Sequence, residues 1–162
     1  MLEKKKISLI LPAYNEAERL KDTARQVADT LQKITPSFEI IIAEDGSTDG
    51  TDKIAEELAK EHPYIKHLHS KERLGRGKAL SRAFKSSKGE ILAYIDVDLA
   101  TDLKHLKELI NSIREEGYDF STGSRMLKES DVKRSFTRLI ASRGFNLLTR
   151  LLLKSEIKDH QC

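Results

Sequence analysis

Short, uninterrupted apolar runs in this sequence alternate with segments whose apolar residues recur every three or four positions, and that alternation restricts the fold more than any other feature. Ile7–Leu11, Phe38–Ala43, Ile65–His69 and Ile91–Ile95 read as strands, and Asp119–Gly123 as a short fifth one. Between them, Leu20, Ala24, Val27, Leu31 and Ile34 mark one helix face. Ile54, Ala55, Leu58 and Ala59 mark a second, and Ala79, Leu80, Ala83 and Phe84 a third. Leu103, Leu106, Leu109, Ile110 and Ile113 mark a fourth. The cores Leu9-Ile-Leu11 and Ile40-Ile-Ile42 do not alternate polar with apolar residues, as expected of strands buried on both faces. A βαβαβαβαβ order of this kind predicts an α/β fold, a mostly parallel sheet with helices on both faces.

In open α/β sheets, ligands bind beyond the carboxyl ends of the strands. Each strand here is followed by small and charged residues. Pro12-Ala-Tyr-Asn-Glu16 follows the first and Glu44-Asp-Gly-Ser-Thr-Asp-Gly-Thr51 the second. Asp96-Val-Asp98 follows the fourth and Gly123-Ser-Arg125 the fifth. Asp96 and Asp98 are one residue apart, and on a continuing strand both would face the same side. Two carboxylates so placed suit Mg2+ or Mn2+ sharing its coordination with substrate phosphates. The competing role is capping the helix that begins near Asp102. Asp45 can accept hydrogen bonds from the ring N–H groups of a nucleobase, or cap the next helix together with Ser47 and Asp49. Gly46 and Gly50 point to tight turns or a close ligand approach. Leu74-Gly-Arg-Gly-Lys78 lacks the spacing of a P-loop. Its Arg76 and Lys78 are either diphosphate contacts or solvated cations beside a glycine turn. His67 and His69 share a strand face, but no third ligand is visible in the sequence, so a zinc site is not expected there.

The remaining composition narrows the classes. A net charge of +3 is too small to argue for nucleic acid. The single cysteine, Cys162, allows no disulfide within the chain, which favours a reducing compartment. The first apolar run is too short for a signal peptide, and no apolar stretch reaches the roughly 20 residues of a membrane helix. From Arg125 to Lys158 there are nine Lys or Arg against three Asp or Glu. Phe136, Leu139, Ile140, Phe145, Leu147, Leu148, Leu151 and Leu152 are interleaved with them. Such a basic amphipathic segment suits an anionic membrane surface, and its cations, Arg138, Arg143 and Arg150 among them, suit a phosphate. The alternative is a helix packed on the sheet or on a second copy of the chain. The division expected is therefore 1–125 as an α/β core carrying the carboxyl-edge site and 126–162 as a basic amphipathic segment facing a phosphate or a membrane. The chain stops at Asp159-His-Gln-Cys162 with no helix stop signal, and we expect it to be part of a longer polypeptide.

The four post-strand motifs, in this order and on these elements, resemble those of family 2 glycosyltransferases with the GT-A fold. The tail Ile157-Lys-Asp-His-Gln-Cys162 is similar to the polyprenyl-phosphate glycosyltransferases, especially the dolichyl-phosphate β-glucosyltransferase branch, with dolichol-phosphate mannose synthase a near relative. The resemblance implies that Pro12, Ala13, Tyr14 and Glu16 line a nucleotide pocket and that Asp45 reads the base. It implies that Asp96, Val97 and Asp98 meet the ribose-diphosphate, with both carboxylates on the metal. It implies that Arg125 meets the diphosphate or the acceptor phosphate; Lys78 is a further candidate for the donor site and Arg138 for the acceptor phosphate. Two departures stand out. Glu44-Asp45 replaces the two aspartates common in relatives. Ala100 follows Leu99 where the mannose branch often has a glutamine. The second shifts the expected donor from a GDP-sugar toward a UDP-sugar and glucose. The implied enzyme is an inverting hexosyltransferase on the cytoplasmic face of a membrane. Transfer to a soluble or polysaccharide hydroxyl, and a fragment that binds donor without turnover, are the alternatives.

Overall fold

The computed structural model describes the backbone of residues 6–124 and 136–153 and, in the second stretch, the side chains of Ser142 and residues 144–153. Contacts divide the chain into two units at Tyr118/Asp119. The first contains β1 (Ile7–Ala13), α1 (Ala17–Ile34), β2 (Phe38–Asp45), α2 (Thr51–Glu61) and β3 (Ile65–Ser70). It continues through α3 (Arg76–Ser86), β4 (Ile91–Tyr94), a single 3-10 turn (Leu103–His105) and α4 (Leu106–Arg114). The described part of the second unit contains α5 (Phe136–Leu153).

All four strands are parallel, in the order β3-β2-β1-β4. The chain steps outward from β1 to β3, then returns across the sheet to place β4 on the other side of β1. Parallel crossovers are right-handed, so this reversal moves the connecting helix to the opposite face. α1, α2 and α4 accordingly bury Leu20, Val27, Leu31, Ala55, Leu58, Leu106 and Ile110 against Leu9, Leu11, Ile40 and Ile42. α3 covers the other face, where Ala79 and Ala83 meet Ile10, Ile41 and Ala43. Ile7, Leu9, Ile10 and Leu11 are fully buried. That double-sided burial is why the strand cores carry no polar alternation.

The amino-terminal edge of the sheet holds a buried charge that no sequence pattern signals. Glu39 is 3% exposed. It accepts hydrogen bonds from Ser8 Oγ and the Lys88 backbone N–H, both at 2.6 Å, and pairs with Lys66. Burial pushes this carboxyl up, but Lys66, Ser8 and the Lys88 N–H together outweigh burial and hold it at about 2. The backbone of Gly89 lies so close to Ser8 that a Cβ would sit 2.5 Å from the Ser8 nitrogen.

The strand expected over Asp119–Gly123 is absent, since residues 120–124 carry no regular hydrogen-bonded structure. Phe120 is the only large apolar side chain in that stretch and it is 65% exposed. Ser121, Thr122 and Gly123 offer no apolar face whose burial would offset the entropy of ordering them.

Candidate functional site

The reversal between β1 and β4 opens a crevice at the carboxyl edge of the sheet, the usual ligand position in this architecture. A cleft of about 190 Å3 lies there. β1 and the turn after it supply Pro12, Ala13, Tyr14 and Glu16, and β2 supplies Ala43 and Asp45. Arg73, Gly75, Arg76 and Ala79 come from the start of α3 and the loop before it, and Asp96 from the loop after β4. Seven of the site candidates singled out from the sequence, Pro12, Ala13, Tyr14, Glu16, Asp45, Arg76 and Asp96, thus share one cleft.

Two loops beside it are tied together, the second capping the helix that follows the first. The first N–H groups of a helix have no partner within the helix. Here Glu16 N–H donates to Thr51 Oγ1 at 2.8 Å and Ala17 N–H to Asp49 Oδ2 at 3.0 Å, so the loop after β2 caps α1. Asn15 adopts φ 56°, a conformation asparagine tolerates. Its Oδ1 accepts from Thr48 N–H at 2.9 Å, and its own N–H donates to Ser47 Oγ at 3.1 Å. Asp49 also accepts from Thr51 N–H at 3.0 Å, which covers the capping role expected for that loop. Gly46 has φ 60°, and a Cβ there would lie 2.8 Å from the Arg73 nitrogen. The close approach expected at this glycine is therefore to backbone of the α3 loop.

Asp45 is 3% exposed. Its Oδ1 pairs with Arg82 at 3.1 Å, and its Oδ2 is buried with no partner among the described residues. Burial pushes the carboxyl up from its ordinary value, and the nearby Arg82 charge only partly opposes this. Arg82 is anchored in turn by the His69 carbonyl at 2.9 Å. The cleft is rich in cations. The Arg73 guanidinium stacks 3.8 Å above the centroid of Tyr14. Arg76 pairs with Asp96 at 3.0 Å and lies 5.5 Å from the Tyr94 ring centroid.

Asp96 and Asp98 do not sit as the sequence pattern suggested. β4 ends at Tyr94, so no strand continues to align their side chains on one face. Asp96 to Leu99 forms a turn closed by Leu99 N–H donating to the Asp96 carbonyl at 3.1 Å, with Leu99 at φ 50°. Val97 is buried in the core, its carbonyl accepting from Thr23 Oγ1 at 2.7 Å. Asp96 lines the cleft, while Asp98 is exposed and accepts from Ala100 N–H at 3.0 Å. The cap of the 3-10 turn is Asp102 itself, accepting from Lys104 N–H at 2.9 Å, and not Asp98. Two carboxylates on one turn, with an oxygen-only donor set, fit a hard divalent ion such as Mg2+ or Mn2+.

Lys78 is exposed on α3 and does not line the cleft. Arg125 lies outside the described residues. Arg138 lies on α5, its side chain also outside them. On α5, Phe145, Leu147, Leu148, Leu151, Leu152 and Leu153 are all exposed, as is Arg150. No helix among the described residues is long and apolar enough to cross a membrane. Sequence reasoning missed Arg73, Arg82, Gly75 and Ala79. The glycine pair flanking Arg76 was the available signal for the helix start, and the spacing of Asp45 from Arg82 offered none.

Known proteins are similar to the chain over nearly all of its length. The model of the family described as Glycosyl transferase family 2 matches residues 8–161. Glycosyltransferase AglD of Haloferax volcanii is 48% identical over 158 residues, covering 96% of this chain and 25% of that protein. A dolichyl-phosphate beta-glucosyltransferase of Dictyostelium discoideum is 34% identical over 169 residues, covering 96% of this chain and 52% of that protein. The chain therefore spans between a quarter and about half of the length of these relatives. Among solved structures, the mannosyltransferase PcManGT from Pyrobaculum calidifontis, in complex with GDP-Man and Mn2+, superposes with a TM-score of 0.57 at 24% identity. That match covers 70% of this chain and 34% of PcManGT, and it shows the shared GT-A architecture. With its sheet order, its carboxyl-edge cleft and this match across nearly its whole length, the chain belongs to glycosyl transferase family 2.

Proposed function

We propose that the cleft holds a nucleotide diphosphate sugar and that the chain is the donor-binding part of a hexosyltransferase whose acceptor is a polyprenyl phosphate. The carrying observation is Asp45. A buried carboxylate oxygen without a partner costs about 1–3 kcal/mol or more, and a base N–H would satisfy it. Uracil presents one such ring N–H, guanine an N–H and an amino group. Pro12, Ala13 and Tyr14 form the adjoining wall. Arg73, Arg76 and the uncapped amino end of α3 supply positive charge to the same cleft, suited to a diphosphate. UDP-glucose is the favoured donor, on the strength of the tail and of Ala100.

A phosphate monoester carries about −1.5 to −2 charge at neutral pH. It attacks without a general base, so none of Glu16, Asp45, Asp96 or Asp98 is needed to take a proton. In-line displacement at the anomeric carbon inverts it. Positioning and charge stabilisation carry the catalysis. Asp96 and Asp98 would hold a Mg2+ or Mn2+ ion that, when bound, supplies charge for the departing diphosphate. In this reading Arg76 leaves Asp96 for the diphosphate when donor binds. Arg125 and Arg138 take the acceptor phosphate, and the exposed leucines of α5 lie against the cytoplasmic face of a membrane. A homodimer through that apolar face is the competing use of α5.

Calorimetry of UDP binding with manganese tests the site. Asp98→Ala is expected to abolish the metal-dependent part of the affinity, and unchanged affinity would overturn the assignment. Transfer is tested with the full-length protein, radiolabelled nucleotide sugars and polyprenyl phosphate. Label entering the organic-solvent extract supports the lipid acceptor, and label appearing only in water-soluble glycan overturns it.

A further inference from the structure

Beneath the loop that bears Asp45, on the other face of β2, a second constellation of ligand atoms converges. β2 and β3 pair with Glu44 opposite His69 and Ile42 opposite His67, so Glu44, His67 and His69 share the face covered by α2. Glu44 is fully buried. Its Oε2 lies 2.5 Å from His69 Nδ1 and 3.7 Å from His67 Nε2. One ligand atom from each of the three residues falls within 4.8 Å of the others.

Hydrogen bonding alone leaves this cluster incomplete. A donor and acceptor 3.7 Å apart are not bonded. His67 Nε2 is buried with no hydrogen-bond partner among the described residues, and the His67 side chain is only 13% exposed. Desolvating a ring nitrogen without a partner is unfavourable. The two imidazoles are tilted by 57° with centroids 5.7 Å apart, so they do not stack on each other, and both bring a nitrogen to the same carboxylate oxygen.

We infer that Glu44, His67 and His69 form a binding site for a divalent transition-metal ion of the zinc type, separate from the oxygen site at Asp96 and Asp98. Zn2+ takes imidazole nitrogen at about 2.0–2.1 Å and carboxylate oxygen at about 2.0–2.2 Å, usually in a tetrahedron, which sets neighbouring ligand atoms roughly 3.3–3.4 Å apart. The 3.7 Å pair is already close to that spacing, and the 2.5 Å pair has to open. His69 can pivot to allow it, since its side chain is 44% exposed. That open side admits a water as fourth ligand.

Ligand softness sorts ions between the two sites. Two nitrogens and one oxygen favour zinc and its neighbours, whereas Mg2+ prefers carboxylates, phosphates and water. The site also has a structural consequence. Glu44 Oε1 accepts the Ser47 N–H at 2.6 Å, and Ser47 leads the loop that caps α1 beside the cleft. A metal on Oε2 would pin that loop from below.

Equilibrium dialysis of the full-length protein against Zn2+, with Mg2+ in excess, tests this directly. One zinc per chain is expected. His69→Gln, at a partly exposed position that leaves the core intact, should weaken binding at least ~10–100-fold, as should Glu44→Gln. Asp96→Ala with Asp98→Ala should retain the zinc. Substituting Co2+ should give the visible absorption of a four-coordinate ion, lost in His69→Gln. No zinc retained, or zinc retained equally by His69→Gln, would overturn the inference. Neither result bears on the nucleotide reading, because Asp45 meets the cleft from the opposite face of β2 and Asp96 lies on a different loop.

Discussion

Protonating Glu39 should remove a definite share of the stability of the sheet. The carboxyl sits near the start of β2, at the edge away from the cleft, with Ser8, Lys66 and the Lys88 N–H as partners. Its value of about 2, against an ordinary 4.5, means that the folded state binds the proton more weakly than the unfolded chain does. The stabilisation is therefore complete above pH 4.5 and is lost as pH falls from there through about 2. At about 1.4 kcal/mol per pH unit, that interval corresponds to roughly 3 kcal/mol. Lys66 is 41% exposed, so solvent screens its part and about 2 kcal/mol is the better expectation.

Glu39→Gln keeps an oxygen for Ser8 or Lys88 but leaves Lys66 without its charge partner. Urea unfolding of wild type and variant across pH 2 to 7, within about that span, gives the difference between them. It should be flat at about 2 kcal/mol above pH 5 and shrink toward zero near pH 2. UDP affinity per folded molecule should not change, because Glu39 is remote from the cleft. A difference that stays constant across the whole range would refute the assignment of the charge to this cluster.

Other perturbations report on the cleft. Gly46→Ala forces a side chain into φ 60° and against the Arg73 backbone, and should cost about 1–3 kcal/mol in thermal or urea unfolding. Asp45→Ala should weaken UDP binding about 10- to 100-fold by calorimetry, since it removes a buried charged acceptor. Arg76→Ala frees Asp96 from its ion pair. Manganese should then bind more tightly in the absence of nucleotide, while the nucleotide sugar itself binds more weakly. Both move in calorimetry, and a parallel loss of the two would show that Arg76 has no ion-pair role.

Doubly buried strands have a plain sequence signature, which is why β1 and β2 were legible from Leu9-Ile-Leu11 and Ile40-Ile-Ile42 alone. The rule that ligands gather beyond strand carboxyl ends then brought Tyr14, Glu16, Asp45 and Asp96 to one edge without any coordinates. The alternation rule failed at Asp98 for a local reason. It assumes a strand, and β4 ends two residues before Asp96 in a turn that needs Leu99 at positive φ. Arg82 was illegible because its partner depends on how α3 lies across β2. On a helix it reads as one more solvated cation.

Glu44 and Asp45 show what a single strand position decides. Adjacent residues on a strand face opposite ways. Asp45 therefore joins α3 and Arg82 beside the cleft, while Glu44 turns to His67, His69 and the Ser47 N–H. In sequence the pair looks like one acidic motif. In the fold it is two motifs, and Glu44 belongs to the one that does not line the cleft. The longer side chain lets one carboxylate accept a backbone amide through Oε1 and meet the His69 imidazole through Oε2, with His67 Nε2 3.7 Å away. An aspartate, one methylene shorter, would have to give up one of those contacts. Glu44→Asp should therefore lose zinc while leaving UDP affinity intact, and a variant that loses both would show that the two faces of β2 are not independent.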